Sequence, residues 1–370
     1  MSEYVTSLIR EEQIEETKAL MSRCFDAKYA SIFYLHPEST LIVTHQGQVV
    51  AGINLDIYQV NKRVRMGYIG WLYTDENHRG NALAGKLLTE AINFLKGKGC
   101  TSLSACVEGD NPASFKQLAK EGFSILGLWQ QLKLFKAGTV KVYHHASRFF
   151  DMGYFLWHKS LTEESFPEAR EDLQALFTTL AAHTLLFFFC LKGWNLLTLV
   201  GLNPILPLFS TASTSQEGLM LATPSLFLLA RTMAMFLMAK ATGKKDRREL
   251  VYRGWDTAWI TALALTLTVG FPFPAAGNLY IKGLKWNMKE EQHLLFRMAV
   301  AGQIAVFALC LLVPRGLPLL FGLTLLILDG LLFFYPFCGF NASRIKRMGT
   351  KTYALYLTIT LAALAVLLVY

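Results

Sequence analysis

The sequence has few cysteines, and they are not spaced as metal-binding or redox pairs. The six are Cys24, Cys100, Cys106, Cys190, Cys310 and Cys338. No two of them are separated by only two residues, and three lie within strongly apolar runs. Because an unpaired cysteine behaves as a small apolar side chain, we expect these residues to be free, buried thiols.

Charged residues are also scarce, at 17% of the chain, although the formal net charge is +9. In a soluble protein, such a charge would suggest a nucleic-acid partner. The sequence has no basic face interleaved with aromatic residues, and its lysines and arginines cluster beside apolar runs. We therefore expect anionic lipid headgroups, and no nucleic acid, to interact with this charge.

Apolar residues make up 53% of the chain and are unevenly distributed. The N-terminal part alternates apolar and charged segments, and it lacks the charged and apolar regions of a cleavable signal. The C-terminal part contains runs of about 16–22 nearly uncharged residues, long enough to cross a bilayer. We therefore expect a soluble domain over residues 1–147, an amphipathic linker over 148–172, and a transmembrane domain over 173–370 with five or six apolar segments.

The soluble domain contains predicted strands and helices in alternation, distinguished by the spacing of their apolar residues. The predicted helices cover residues 11–25, 83–96 and 111–120. The predicted strands cover residues 40–44, 48–58, 63–74, 102–107, 125–135 and 139–145. A hairpin turn is expected between the first two strands, where Gly47 allows the positive φ that such turns require.

Residues 72–88 join a strand to a helix through a polar turn, and we expect the domain to be organised around them. The helix carries an apolar stripe, formed by Leu83, Leu87, Leu88, Ala91 and Leu95. Small residues at the start of the helix let another molecule approach the backbone closely. The free N–H groups of a helix start, with the helix dipole, form an anion site suited to a pyrophosphate.

A nucleotide-binding P-loop is an alternative interpretation, because Gly80-x-x-x-x-Gly85-Lys86 matches the first part of that motif. However, Leu87 stands where a serine or threonine would hold Mg²⁺. Polar residues 75–79 also separate Gly80 from the strand, which should run directly into the loop. These two departures argue against a P-loop.

The turn resembles the acyl-CoA-binding motif of the GNAT acetyltransferases, Arg/Gln-x-x-Gly-x-Gly/Ala. Arg79 and Ala84 fit this motif, and Ala82 stands where the family usually has glycine. The family also has a second block, with an asparagine, a small residue three positions later, and Gly-Phe at eleven and twelve. The residues that fit this block are Asn111, Ser114, Gly122 and Phe123.

This resemblance implies an α/β GNAT fold, a mixed sheet with flanking helices, followed here by an all-α multi-pass membrane domain. It implies acetyl-CoA or another acyl-CoA as co-substrate, an amine acceptor and no metal. The strands before and after the turn are expected to separate, with the acyl-CoA between them. The residues expected to contact it are Leu72, Tyr73, Thr74, Arg79, Gly80, Asn81, Ala82, Leu83, Ala84, Gly85, Lys86, Asn111 and Ser114.

The sequence departs from the family at the expected catalytic positions. A tyrosine seven residues after the asparagine often protonates the leaving thiolate, but here that residue is Leu118, which cannot donate a proton. The central strand has no glutamate to act as a base. The candidate catalytic residues are therefore Glu108, with Asp110 beside it, and Tyr73 and Tyr68. Glu108 and Asp110 could instead belong to a solvated strand end or a helix cap, and positioning of the reactants alone can accelerate acyl transfer.

The predicted linker, residues 148–172, mixes aromatic and charged side chains. It suits either a segment at the lipid headgroups or a helix packed on the soluble domain.

The predicted spans cover residues 174–192, 219–240, 296–313, 317–337 and 352–370. A further apolar run over 255–275 ends in a Pro- and Gly-rich break. If this run enters the bilayer and returns, the basic clusters at 240–253, 282–297 and 344–351 all face the cytosol. The positive-inside rule therefore favours a re-entrant segment, with Tyr370 outside.

The membrane domain also resembles site-2-type intramembrane metalloproteases over residues 226–350. Those enzymes bind zinc through His-Glu-x-x-His on one helix and an aspartate on another. In this sequence Arg231, Thr232 and Met235 stand at the three positions of the first motif, and Asn341 stands at the aspartate. The resemblance therefore implies a non-catalytic scaffold. The alternative is a generic bundle of helices packed through small residues.

Three polar residues, Arg231, Asp329 and His183, are isolated within the predicted spans. Charges at bilayer depth are costly and are commonly paired. We expect Arg231 and Asp329 to form a buried ion pair, which either holds the bundle together or lines a pocket.

The leading functional hypothesis is a membrane-anchored N-acyltransferase that moves an acetyl group from acetyl-CoA to an amine. The acceptor is expected to be a small molecule, a lipid-linked amine or a peptide. One alternative is a non-catalytic acyl-CoA sensor coupled to the metal-free scaffold, and another is a transporter-like or substrate-presenting membrane domain. The predicted location is a prokaryotic cytoplasmic membrane, with the N-terminal domain in the cytoplasm.

Overall fold

The computed structural model describes residues 4–25, 33–162, 171–202, 217–242, 249–283 and 286–369. The chain divides into two compact units. Unit 1 contains Met1–Val107, Ala113–Arg148 and Phe155–Ala169. Unit 2 contains Glu108–Pro112, Phe149–Tyr154 and Arg170–Tyr370. Two short segments of the N-terminal half therefore belong to the second unit.

A mixed seven-stranded sheet forms the centre of unit 1, in the order β1-β2-β3-β4-β5-β7-β6. Its strands are β1 (Val5–Leu8), β2 (Thr40–His45), β3 (Gln48–Gln59), β4 (Arg65–Thr74), β5 (Ser102–Glu108), β6 (Ser124–Ile125) and β7 (Tyr154–Ser160). The helices are α1 (Ile14–Cys24), α2 (Leu83–Gly97), α3 (Pro112–Lys120), α4 (Leu128–Phe135) and α5 (Gly138–His145). Short 3₁₀ turns cover Glu11–Gln13 and Glu76–His78. The predicted mixed sheet with flanking helices is confirmed.

Hydrophobic burial fixes α2 on the sheet. The residues of its predicted apolar stripe, Leu83, Leu87, Leu88, Ala91 and Leu95, are all buried. Burying one leucine contributes roughly 1.5–3 kcal/mol. The fit is close, since a Cβ added to Gly67 of β4 would lie 2.8 Å from a methyl carbon of Leu95.

The last two predicted strands of the soluble domain are wrong. Residues 125–135 and 139–145 were expected to be extended, but most of them form the helices α4 and α5. In α4, apolar residues recur at helical spacing and no residue is β-branched, which favours a helix. In α5, Thr139, Val140 and Val142 favour a strand locally, but packing of Val142 in a core with Phe135 outweighs this propensity.

The predicted linker also needs correction. Residues 154–160, the aromatic part of the segment 148–172, form β7, which lies between β5 and β6 in the sheet. An aromatic-rich run suits both the headgroup region and a strand, and here the strand is found. Residues 163–170 lie outside the described part of the chain.

Unit 2 is mainly helical. Its helices are α6 (Glu171–Leu191), α7 (Leu196–Leu199), α8 (Glu217–Ala241), α9 (Ala258–Val269), α10 (Met288–Cys310), α11 (Leu317–Gly330), α12 (Asn341–Lys346) and α13 (Thr350–Val369). Two short antiparallel strands, β8 (Leu250–Arg253) and β9 (Asn278–Ile281), pair with each other. All six cysteines of the chain are free thiols, as predicted, and four of them are buried.

Four helical segments in the described residues are long and apolar enough to cross a membrane. They are Leu173–Leu199, Met220–Ala241, Met288–Cys310 and Thr350–Val369. The span predicted over 317–337 is shorter than expected, because α11 has only 14 residues. At 1.5 Å per residue it extends roughly 21 Å, against roughly 30 Å for a bilayer core.

The apolar run over 255–275 also contains a short helix, the 12-residue α9. The chain that follows is not helical, yet its backbone groups have side-chain partners. His183 Nε2 accepts a hydrogen bond from the Ala275 N–H at 2.9 Å, and Tyr252 donates to the Ala276 carbonyl at 2.7 Å. Satisfied backbone of this kind is what a bilayer requires of a non-helical segment. The re-entrant path itself stays a prediction.

The buried ion pair predicted between Arg231 and Asp329 is confirmed. Arg231 Nε and Nη2 donate to the two carboxylate oxygens of Asp329 at 3.1 and 2.7 Å. The two side chains are only 1% and 2% exposed. Asn341 adds two donors to the same carboxylate, its backbone N–H at 3.0 Å and its side-chain amide at 2.8 Å. The pair therefore joins α8, α11 and α12.

We expect Asp329→Asn to lower the free energy of unfolding by about 3–5 kcal/mol, because it leaves the buried Arg231 guanidinium without a counter-charge. The measurement is denaturant unfolding of the full chain in detergent micelles. The double reversal Arg231→Asp with Asp329→Arg should restore only part of the loss, since Asn341 would then direct donors at a guanidinium.

The matched control is Glu249→Gln, which removes an exposed ion pair with Lys282 at 3.6 Å in the same unit. Its effect should stay below about 1 kcal/mol. Equal losses from Asp329→Asn and Glu249→Gln would contradict a structural role for the buried pair.

Candidate functional site

A cleft opens between the central strands β4 and β5. Their parallel ladder contains only three residue pairs, from Met66 with Ser102 to Tyr68 with Ser104. On its other edge, β4 stays paired with β3 as far as Thr74. The separation of the two strands that the resemblance implied is therefore confirmed.

A β-bulge lies where the two strands part. Asn54 of β3 pairs with Trp71 and Leu55 pairs with Ile69, so Gly70 has no opposite residue. A bulge bends a strand and increases its twist, which turns the rest of β4 away from β5. Glycine suits this position, because a Cβ on Gly70 would collide with the hydroxyl group of Tyr34, which lies directly against it.

The turn after β4 has an unusual backbone that leads directly into α2. Asp75 accepts a hydrogen bond from the Asn77 N–H at 3.0 Å, which fixes the first part of the turn. Gly80 has φ of 88°, and Ala82, immediately before α2, has φ of 55°. Ala82 therefore adopts the left-handed conformation, which glycine adopts without steric cost.

The start of α2 presents backbone donors and positive charge. No side chain caps this helix, and its first intrahelical bond in the turn runs from the Lys86 N–H to the Ala82 carbonyl at 3.1 Å. Arg79 and Lys86 are exposed beside it, and Lys86 Nζ donates to the Tyr4 carbonyl at 3.1 Å. This combination of helix dipole, backbone amides and cations is suited to a diphosphate.

The second predicted block takes the expected local form. Asn111 precedes α3, which begins at Pro112, and its N–H donates to the Glu108 carbonyl at 3.1 Å. Gly122 has φ of 82° and ends the helix, and Phe123 is buried. Leu118 is buried as well, so the side chain that replaces the family's tyrosine contributes to the core.

The two candidate tyrosines lie in the core of unit 1. Each is only 3% exposed. The Tyr73 hydroxyl donates to Asn54 Oδ1 at 3.1 Å, and Tyr68 packs in a core with Tyr58 and Val64. Burial raises the pKa of both phenols, which keeps them protonated. Their catalytic role stays a prediction.

Within unit 2, arginines bind the carboxylates of the two candidate acids. Arg347 Nη2 lies 2.7 Å from Glu108 Oε2. Arg344 donates to both oxygens of Asp110, at 2.8 and 3.1 Å, and also to the Leu279 carbonyl at 3.0 Å. Both carboxylates are therefore ion-paired and mostly buried, which contradicts the alternative of a solvated strand end. Whether Glu108 accepts a proton stays a prediction.

Arg231, Met235 and Asn341, which the sequence resemblance aligned with zinc ligands, lie close together at the buried ion pair. Asn341 Nδ2 is 3.9 Å from Met235 Sδ, and Gly302 packs against both Met235 and Arg231. In the described part of the chain, no group of three or more His, Cys, Asp or Glu side chains is placed to hold a metal ion. The similarity to site-2-type proteases remains a resemblance of sequence.

Sequence reasoning missed a polar cluster on the sheet of unit 1. Asp56 and Tyr58 of β3 meet His145 at the end of α5, with His145 Nδ1 2.7 Å from Asp56 Oδ2. The alternation of Asp56 and Tyr58 in β3 indicates that both side chains lie on the same face of the sheet. The contact with His145 was not predicted, because the segment that contains His145 was expected to be a strand.

No curated protein matches the sequence of this chain. Among similar solved structures is the GNAT-family N-acetyltransferase YhbS from Escherichia coli in complex with CoA. It is 18% identical over 44% of this chain and 84% of that chain, with a TM-score of 0.31. Naa50 from Arabidopsis thaliana, in complex with a bisubstrate analogue, is 15% identical over 43% of this chain and 99% of that chain, with a TM-score of 0.30.

N-acetylglutamate synthase from Neisseria gonorrhoeae, complexed with coenzyme A and N-acetyl-glutamate, is 16% identical over 44% of this chain. The match covers 36% of that chain, with a TM-score of 0.32. Similarities at this level of identity do not extend to substrates.

The model of the acetyltransferase (GNAT) family matches residues 5–123. This range runs from β1 to the end of α3 and contains both of the motifs identified in the sequence. Residues 5–123 are therefore a GNAT acetyltransferase domain, which makes this chain an enzyme of the acyltransferase class.

Proposed function

We propose that unit 1 binds acetyl-CoA, or another acyl-CoA, in the cleft between β4 and β5 and transfers the acyl group to an amine. The observation that carries this proposal is the parting of the two strands after Tyr68, directly followed by the anion-binding turn. A bound thioester would lie where the strand ladder ends. Its diphosphate would lie at the start of α2.

The turn after β4 and the start of α2 would supply the groups that bind the diphosphate. The backbone amides of Leu83, Ala84 and Gly85 and the Arg79 side chain would bind the diphosphate. Main-chain groups of β4 near Leu72 and Thr74 would pair with the pantetheine arm. The remaining members of the predicted set, including Asn111 and Ser114, stay predictions of contact.

Acyl transfer needs a neutral amine beside the thioester carbonyl. The amine nitrogen forms the new C–N bond, the C–S bond breaks, and the thiolate takes up a proton that the nitrogen loses. Holding the two reactants together can itself supply several kcal/mol of the barrier reduction. The cleft is suited to this role, because main-chain groups of β4 would hold the cofactor arm beside the acceptor.

The membrane location is part of the proposal. The four long apolar helices support a multi-pass protein, and the basic clusters beside them support a cytoplasmic N-terminal domain. In this arrangement the helical unit is a non-catalytic scaffold that anchors the acyltransferase near the bilayer. The acceptor would be a lipid-linked, peptide or small-molecule amine.

Calorimetric titration of the purified full chain with CoA tests the proposed site. We expect saturable binding, and Arg79→Ala should weaken it about tenfold or more by removing a charge-assisted contact to phosphate. The control is Arg63→Ala, an exposed arginine that precedes the opposite end of β4. Absence of CoA binding would refute the proposal. Tight binding without transfer to any amine would favour an acyl-CoA sensor.

The left-handed residue before α2 gives a second test. We expect Ala82→Gly to stabilise the protein by about 1 kcal/mol, because glycine adopts positive φ without steric cost. Ala84→Gly, two residues further on and inside the helix, should instead cost about 0.5–1 kcal/mol. Thermal unfolding measures both, and CoA affinity should persist in Ala82→Gly. Destabilisation by Ala82→Gly would disprove this account of the turn.

The role of Glu108 is tested by comparing Glu108→Gln with Arg347→Gln. Because Arg347 binds the Glu108 carboxylate, we expect both variants to change the rate of acyl transfer by similar factors, below about tenfold. A loss of about 100-fold in Glu108→Gln alone is the size expected for a general base. That result would assign the base role to Glu108.

A further inference from the structure

A set of polar side chains lies on one face of the sheet, where β4 and β5 part. Asp56 is opposite Tyr68 in the ladder of β3 and β4, and Tyr68 pairs with Ser104, the last pair of β4 and β5. Paired residues project to the same face of a sheet. The preceding residue, Gly67, contacts Leu95 of α2. The polar face is therefore the one opposite α2.

His145 is held on this face by two contacts. Its Nδ1 lies 2.7 Å from Asp56 Oδ2, with the two side chains 27% and 24% exposed. Its ring stacks on Tyr58, with the centroids 3.7 Å apart and the planes 8° from parallel. When Nδ1–H donates to the carboxylate, the other ring nitrogen, Nε2, keeps its lone pair and can accept a proton.

Three hydroxyls near these groups are buried without a hydrogen-bond partner in the described part of the chain: those of Tyr34, Tyr58 and Ser104. Tyr58 is only 7% exposed and Ser104 is fully buried. The Tyr34 hydroxyl lies against Gly70, the bulged residue at which the cleft begins. Buried polar groups are nearly always hydrogen-bonded, so three such hydroxyls close to where β4 and β5 part indicate a polar partner of the kind that a bound ligand would supply.

Other titratable groups surround this set. Tyr68 of β4, Cys106 of β5 and Arg148, just after α5, interact electrostatically with the tyrosines, and His144 lies edge-on to His145 at 5.9 Å. A purely structural reading is that the Asp56–His145 pair fastens α5 to β3. That reading accounts for the ion pair but leaves the unpaired hydroxyls unexplained.

We infer that Asp56, His145, Tyr34 and Tyr58 form the acceptor site, and that the site binds the primary ammonium group of the acceptor. This inference rests on the proposed acyl transfer. The Asp56 carboxylate and the tyrosine rings attract a cation. The tyrosine hydroxyls accept its N–H groups.

His145 Nε2 takes one proton from the ammonium and releases it to solvent. The neutral nitrogen then forms the C–N bond as the C–S bond breaks. The thiolate takes up the second proton that leaves the nitrogen. The reaction as a whole releases one proton and needs no further reagent.

The experiment titrates benzylamine into the full chain in detergent, saturated with CoA, and follows binding by calorimetry. Benzyl alcohol is the uncharged probe of the same shape. We expect benzylamine to bind and benzyl alcohol not to bind. Asp56→Asn should weaken benzylamine at least tenfold, while the control His144→Gln, a change of the adjacent histidine, should not.

Tyr34→Phe separates the acceptor site from a structural role. If the hydroxyl has no ligand, its removal should leave stability equal or higher and leave amine binding unchanged. If it binds the acceptor, the melting temperature should hold or rise while benzylamine affinity falls about tenfold. With acetyl-CoA and benzylamine, His145→Gln should lower kcat about 100-fold, whereas Asp56→Asn should mainly raise KM.

Each outcome decides the matter. If CoA binds but benzylamine does not, or if Asp56→Asn, His145→Gln and Tyr34→Phe all behave like His144→Gln, the acceptor site is refuted and the cofactor site stands. If CoA itself does not bind, the proposed function fails and the acceptor role fails with it.

Discussion

The parting of β4 from β5 is the constraint on which the chemistry of unit 1 depends. Two parallel strands satisfy each other's backbone groups when they stay in register, and here they do so for only three residue pairs. The bulge at Gly70 makes the separation possible, and Tyr34 fills the space that a side chain at Gly70 would occupy. Beyond Tyr68 the two strands no longer pair with each other, and the turn that follows β4, with positive φ at Gly80 and Ala82, leads into the uncapped start of α2.

A different interaction organises unit 2. The Arg231–Asp329 pair is bidentate, buried and joined by Asn341, so three helices share one polar centre. Removing either charge would leave the other uncompensated, and this makes the arrangement strongly selective for one packing of the helices. Arg231 also donates to the Gly277 carbonyl at 3.3 Å, which ties the non-helical chain after α9 to the same centre. Side-chain hydrogen bonds thus replace the helical bonds that this stretch lacks.

The sequence predicted the parts of the molecule that depend on local chemistry. The stripe of α2, the turn at Ala82 and the Gly122-Phe123 helix end each follow from residue type and spacing over a few positions. The charge pair of unit 2 was predictable because a charged residue isolated in an apolar run needs a partner of opposite charge. Residues 139–145 were mispredicted because α5 owes its helical form to packing with Tyr58 and Phe135, which no local pattern records. In α4, by contrast, the spacing of the apolar residues did indicate a helix, and the strand prediction there was an error of interpretation. The cluster of Asp56 with His145 depends on the packing of α5, and so it could not be foreseen either.

The end of β5 depends on contacts that are remote in sequence. Glu108 and Asp110 are bound by Arg347 and Arg344, and Asn111 is held to Glu108 through its backbone N–H. Arg344 is itself fixed, because it donates to the Leu279 carbonyl and lies over the Tyr280 ring with its central carbon 5.3 Å from the centroid. Glu108 and Asp110 therefore help to fix the chain at the end of β5, a role that the sequence pattern around Asn111 does not indicate. The Asp110 carboxylate binds the buried Arg344 guanidinium through both oxygens, and it is therefore well suited to set the position of Asn111 beside it.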